Sequence, residues 1–224
     1  MNSTLHALGV VALTCAALTG CSRKADKAVP SDSTTMARPA VATMPSPGAA
    51  IDCGAASGDI EKLVCGDPQL TALDQKLSAI YKEAEARQVS PAPASFTAGQ
   101  WSWITKRDDC GKSTNQRACV DSAYTLRIAE IQAMNLLVQT RGPITYTCPM
   151  PDGSHDEVTA MFAQTDPPSV VLERGDRSIV AYRARSGSGA KYEGANVAFW
   201  EKGGAAQVTW FGTALKCHEQ AASS

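Results

Sequence analysis

The sequence predicts an α+β chain in which a small helical domain precedes an antiparallel β domain, and three observations carry that expectation. Apolar residues recur every three or four positions between residues 51 and 141, then every second position after the Gly142-Pro143 break. Turn chemistry punctuates the second region: Pro151-Asp152-Gly153, Asp166-Pro167-Pro168, Ser186-Gly187-Ser188-Gly189 and Lys202-Gly203-Gly204. Helices first and strands afterwards argue for two domains rather than an interleaved α/β fold.

Ahead of both lies a segment of another kind. Leu5, Leu8, Val10, Val11, Leu13 and Leu18 occupy an uncharged stretch ending Leu18-Thr19-Gly20-Cys21. The run is too short to span a bilayer and has the length of a signal-peptide apolar region, so residues 1–20 are expected to be removed. Leu-Thr-Gly-Cys resembles a bacterial lipobox, although the n-region has no Lys or Arg. The resemblance implies cleavage before Cys21, lipidation of its thiol and, from Ser22 beside it, residence at the outer membrane facing the periplasm. Residues 21–50 then read as the lipidated cysteine and a tether. Pro30, Pro39, Pro45 and Pro47 stand among Ser, Thr and Ala with no apolar period, so nothing offsets the entropy of ordering. Such a segment reaches roughly 30 Å.

Within residues 51–142 the first stripe is Leu70, Leu73, Leu77, Ile80 and Ala84, with Asp67 as N-cap and Pro68 at the first helical position. Pro91 and Pro93 end it. A second helix is expected from Gln100 to Asp108 with Trp101, Ile104 and Trp103 inward, and a third from Val120 to Leu137 on Tyr124, Ile128 and Ile131. Residues 143–224 offer Ile144 to Cys148, Val158 to Phe162, Val170 to Leu172, Ile179 to Ala184, Val197 to Phe199 and Gln207 to Phe211 as short strands, which suits a barrel or a sandwich.

The cysteines follow the same division. Of eight, Cys15 leaves with the signal and Cys21 takes lipid, and the remaining six read as a disulfide framework in an exported chain. Cys53, Cys65, Cys110 and Cys119 fall in the helical region, where their pairing is open. Cys148 and Cys217 fall in the β region and would tie its first strand to its last. Closing about 70 residues stabilises on the order of 4 kcal/mol.

Composition excludes several function classes. A net charge of -1 with no Lys/Arg run gives no electrostatic footprint for nucleic acid. There is no CxxC, only His155 and His218 follow the signal, and no metal site or cofactor is expected. Asp108-Asp109 are helix neighbours that point apart, unlike paired glycosidase carboxylates. Ser188 with Lys202 resembles a Ser–Lys dyad only in composition, since no Ser-x-x-Lys helix start is present. The chain is therefore not expected to be an enzyme.

Two resemblances give these features a direction. Tyr146-x-Cys148, Ser188-Gly189-Ala190-Lys191-Tyr192, Phe199-Trp200-Glu201-Lys202-Gly203, Ala206 and Cys217 resemble, in order and spacing, the family of membrane-bound inhibitors of C-type lysozyme across residues 145 to 219. Cys53, Glu61 to Cys65, Asp67, Leu70, Leu73-Asp74, Tyr81, Gln100-x-x-Trp103, Arg107-Asp108-x-Cys110, Cys119, Tyr124 and Arg127 resemble, more loosely, the LprI-type lysozyme-inhibitor family across about 51 to 137. The first implies an eight-stranded antiparallel barrel with a bridge joining its ends.

That resemblance also implies a role: a serine and a lysine on neighbouring loops fill the cleft of a C-type lysozyme and satisfy its two catalytic carboxyl groups. By motif these are Ser188 and Lys202, with Tyr192 joining the binding set as a buttress of the serine loop. Ser186 also precedes a glycine, so the two serines exchange under a shifted alignment. Trp200 and Trp210 are expected as core or rim, and Trp101 and Trp103 as helical core. The competing reading is an envelope scaffold or binding lipoprotein without effect on lysozyme.

Overall fold

The computed structural model describes residues 46–88 and 92–221. The signal segment, Cys21 and the tether up to residue 45 lie outside the described residues. The order is α1 (Asp59–Gly66), α2 (Pro68–Ala86), α3 (Ala94–Asp108), a 3₁₀ turn (Asp109–Lys112), α4 (Gln116–Met134) and then strands β1 to β8. Among the described residues no helix is long and apolar enough to cross a membrane.

Local chemistry starts each helix. The Glu61 carboxylate accepts the N–H groups of Ser57 and Gly58, both at 3.0 Å, which satisfies donors ahead of α1 and holds the Glu61 carboxyl below its usual range. Asp67 caps α2 by accepting from Gln69 N–H and Leu70 N–H, and Pro68 follows it, as the sequence predicts. The other oxygen of Asp67 takes the Arg117 Nε at 2.9 Å, which ties the start of α4 to the start of α2. Asn115 caps α4 through Ala118 N–H.

Leu70, Leu77, Tyr81, Ala84, Val120, Tyr124, Ile128 and Ile131 form the helical core, with Leu73 and Ile80 at its edge. Two disulfides resolve the open pairing: Cys53–Cys65 and Cys110–Cys119, both local. Four details differ from the sequence expectation. α3 begins at Ala94 rather than Gln100, and α1 precedes the first expected helix. Trp101 is 40% exposed and is no core residue; Gln100 and Arg107 turn inward from α3 instead. Packing also reaches into the tether segment, because Gly48 is buried and sits so close to the Tyr81 ring that a Cβ would overlap it at 1.9 Å.

The helical interior is also polar. Tyr124 Oη donates to Asp74 Oδ1 at 2.9 Å, and Ile51 N–H donates to Asp74 Oδ2 at 2.7 Å. Arg107 donates through Nη1 to Tyr124 Oη and through Nε and Nη2 to Asp108 Oδ1. Burial raises the Tyr124 phenol well above its usual value, so it remains a donor inside this chain of bonds.

The strands are β1 (Thr140–Pro149), β2 (His155–Ala163), β3 (Ser169–Arg174), β4 (Arg177–Ala184), β5 (Ala190–Gly194), β6 (Val197–Lys202), β7 (Ala205–Trp210) and β8 (Thr213–Glu219). Each pairs antiparallel with the next, and β1 pairs with β8 to close the barrel. Closure leaves no exposed sheet edge. Of the eight, β5 escapes a reading of periodicity, because Tyr192 alone is buried in it, and β8, where Leu215 and Cys217 alternate with exposed residues, is marked in the sequence only by Cys217. Tyr146, Phe162, Tyr192 and Phe199 meet inside, with Tyr146 and Phe199 edge to face at 5.4 Å between ring centroids. Cys148–Cys217 joins the barrel's ends.

Two cores form, one helical and one inside the barrel, and both lie within one compact unit. Ala133 at the end of α4 packs with Ala163 and Val171, flanked by Val138, Met161 and Val180. Tyr182 Oη on β4 donates to the Leu126 carbonyl on α4 at 2.9 Å. α4 therefore lies on the outer face of β2–β4, while the outward side chains of β6–β8 are exposed.

Candidate functional site

The outer face of β6–β8 is set by register. Lys202 pairs with Ala205 and Ala205 with His218; one step along, Trp200 pairs with Gln207 and Gln207 with Lys216. Both rows point outward, since the alternate residues Phe199, Ala206, Val208, Leu215 and Cys217 are buried. Neighbouring strands are about 4.8 Å apart, so Lys202 and His218 stand across a gap floored only by the methyl group of Ala205. The result is a depression of about 430 Å³ bounded by Ser188, Trp200, Lys202, Gln207, Lys216 and His218.

Ser188 arrives from the loop between β4 and β5. Gly189 turns that loop onto β6: its φ is +68°, and a Cβ there would lie 2.3 Å from the Glu201 carbonyl oxygen and 3.0 Å from Lys202 Cβ. Only glycine permits both the conformation and the approach. Trp200 Nε1 donates to the Ser188 carbonyl at 2.8 Å and fixes the loop from below. Ser186 Oγ donates to the Gly189 carbonyl at 3.1 Å, so the hydroxyl of that serine closes the loop, whereas Ser188 lines the depression with Lys202.

The face is cationic and unneutralised. Among the described residues neither Lys202 nor Lys216 forms an ion pair, whereas Lys191 on the neighbouring strand pairs with Glu193. Tyr192 lies elsewhere. It is 6% exposed, packed between Phe162 and Phe199 inside the barrel, with the Arg183 guanidinium 5.5 Å from its ring centroid. It supports β5 and β6 from within and presents no surface to a partner. Trp210 is buried at 5% exposure, and Trp200 is at the rim at 36%.

The family model described as membrane-bound lysozyme-inhibitor of c-type lysozyme matches residues 146–216. Lipoprotein LprI of Mycobacterium bovis is 35% identical over 180 residues, which cover 80% of this chain and 88% of the relative; lipoprotein LprI of Mycobacterium tuberculosis matches to the same extent. The chain belongs to the LprI lipoprotein family.

In this LprI-family chain the 146–216 match runs from β1 into β8 and takes in every residue of the depression except Cys217 and His218. The relatives' alignment is longer than the barrel and extends into the helical region. Sequence reading found Ser188 and Lys202 through a motif but missed Gln207, Lys216 and His218. The signal that finds them is register: once β6, β7 and β8 are aligned, the small Ala205 marks a floor and its outward neighbours mark the walls. Among the described residues no group of three His, Cys, Asp or Glu side chains stands close enough to hold a metal ion.

Proposed function

We propose that the barrel inhibits a C-type lysozyme by entering its cleft with Ser188 and Lys202 and covering the rim with Trp200. The supporting observation is that Ser188 and Lys202 share one depression, on an exposed face of the barrel, with ammonium groups that have no carboxylate of their own among the described residues. C-type lysozymes cleave with one protonated and one ionised carboxyl group. A hydroxyl both donates and accepts, so Ser188 suits either protonation state. An ammonium brought against an ionised carboxylate gains more in a water-poor cleft than at a free surface. The lipid on Cys21 would hold the inhibitor at the outer membrane, facing the periplasm, beside the peptidoglycan it protects.

The test is a turbidity assay in which residues 46–224 are titrated into egg-white lysozyme acting on cell walls. Stoichiometric loss of lysis is expected, with Lys202→Ala and Ser188→Ala each weakening binding by about 2–4 kcal/mol. Unchanged lysis at micromolar excess would remove the lysozyme reading and leave an envelope-binding lipoprotein. Inhibition that both variants retain in full would remove only the loop mechanism.

A further inference from the structure

A second depression, of about 320 Å³, opens in the helical region between the segment 46–57, α2 and α3. Its wall includes four polar side chains that are more than nine-tenths buried: Asp74, Ser78, Gln100 and Arg107. The indole of Trp101 also lines it and is the most exposed aromatic ring among the described helical residues. Trp103 belongs to the frame: its Nε1 donates to the Ala123 carbonyl, its ring meets Tyr124 edge on, and the Arg107 guanidinium lies 5.5 Å from its centroid.

Hydrogen-bonding capacity remains in this wall. A guanidinium has five N–H groups, and the bonds of Arg107 to Asp108 and Tyr124 use three. Asp74 accepts one bond at each carboxylate oxygen and has lone pairs left. Gln100 Oε1 is taken by Arg127 Nε, and its amide hydrogens find no acceptor among the described residues. The lining holds three carboxyl groups, those of Asp52, Glu61 and Asp74, and one guanidinium, Arg107, which already pairs with Asp108; backbone N–H groups hold the carboxylates of Asp52 and Glu61. An anion would meet the three carboxyl groups, a cation would meet the Arg107 guanidinium, and a purely apolar ligand would leave the spare donors and acceptors of the wall unmet. The chemistry that satisfies the wall is neutral, rich in both donors and acceptors, and flat on one apolar face.

From this geometry we infer that the helical region binds a neutral sugar ring of an envelope glycan, stacked on Trp101 with its hydroxyl and acetamido groups toward Arg107, Asp74 and Gln100. Pro47, Ala55 and Leu77 supply the apolar side that an acetamido methyl would meet. The site lies away from β6–β8, so the inference stands apart from lysozyme inhibition. Together they would describe an inhibitor that grips the polymer it protects.

The probe is the β-1,4 trimer of N-acetylglucosamine, titrated into the full chain with binding read by calorimetry and by intrinsic tryptophan fluorescence. Saturable binding is expected. Trp101→Ala should weaken it roughly ten-fold while leaving the melting temperature in place, because that ring is partly exposed, and Trp101→Phe should restore part of the loss. Trp200→Ala should leave it unchanged. Absence of binding at millimolar trimer overturns the inference, as does undiminished binding by Trp101→Ala. Loss through Trp200→Ala would move the glycan to the barrel and equally overturn it. If Trp101→Ala weakens lysozyme inhibition while the trimer fails to bind, the depression takes a protein and not a sugar.

Discussion

In the barrel a single disulfide closes 69 residues around an interior of apolar and aromatic side chains. The helical region instead carries a pair of disulfides that close 12 and 9 residues, and its interior holds a carboxylate, a phenol and a guanidinium in one chain of hydrogen bonds. The barrel therefore depends on bringing distant segments together, which is costly in loop entropy, and its crosslink acts on that cost. The helices form from neighbours in sequence, and their uniqueness rests on polar groups that must all be satisfied at once. Different lesions should break the two halves.

The largest effect should come from the long crosslink. Replacing Cys148 and Cys217 together by alanine is expected to cost the barrel about 4 kcal/mol, a large share of the stability of a domain this small. Replacing Cys53 and Cys65 should cost the helical region roughly 3 kcal/mol, because the closed loop is shorter. Thermal melts followed by near-ultraviolet dichroism would measure both. If the barrel variant melts no earlier than the helical one, the contrast between distant and local closure is wrong.

Next should come Arg107→Met, which keeps the stem and removes the guanidinium. Tyr124 and Asp108 each lose a partner, and the buried chain of bonds from Tyr124 to Asp74 loses its third member. A loss of roughly 3 kcal/mol is expected in the helical region, against a much smaller change in barrel melting. Hydrogen exchange resolved along the chain would separate the two. Equal loosening of β1 to β8 would show that the polar network supports the whole molecule and not its own half.

This contrast also explains what could be read in the sequence. Asp67-Pro68 and the stripe from Leu70 to Ala84 were legible because capping and a 3.6-residue period are local properties of the chain. Trp101 was misplaced because a large aromatic residue at helical spacing favours the core, while the actual inward residues, Gln100 and Arg107, are polar and become buried only through partners on α4. No period announces such a pair. In the barrel, β5 lacks a legible signal because one buried tyrosine makes no alternation, and Tyr192 faced inward although its motif placed it beside Ser188. The candidate site was half legible: a motif marked Ser188 and Lys202, whereas Lys216 and His218 join them only after β7 and β8 are placed in register.

A smaller prediction concerns acid. Asp156 on β2 accepts from Arg174 Nε at 2.8 Å and from its Nη2 at 2.5 Å, and this bonding holds the carboxyl below its ordinary value of 3.8. A carboxyl depressed on folding contributes stability above its unfolded pKa, and that contribution is lost as pH falls through the lower folded value. Asp156→Asn should therefore destabilise the barrel by about 1 kcal/mol at neutral pH, and the gap from the parent should close below about pH 3. Urea midpoints across that range would test it. A gap that stays constant down to about pH 2 would mean the pair contributes packing and not charge.

The smallest expected effect bears on where the halves meet. Tyr182 Oη reaches from β4 to the Leu126 carbonyl of α4, and burial raises its phenol well above the usual value, so it is a donor throughout the accessible pH range. Tyr182→Phe removes that donor and keeps the ring, at a cost of about 1 kcal/mol. The remaining junction, Ala133 against Ala163 and Val171, is small and apolar and offers no directional bond to replace it. If the hydrogen bond couples the two cores, a single unfolding transition in the parent should broaden or split in the variant, with the barrel still responding to loss of Cys148–Cys217 and the helices to loss of Arg107. A single sharp transition shifted by the same amount for both halves would instead show that the apolar junction alone keeps them cooperative.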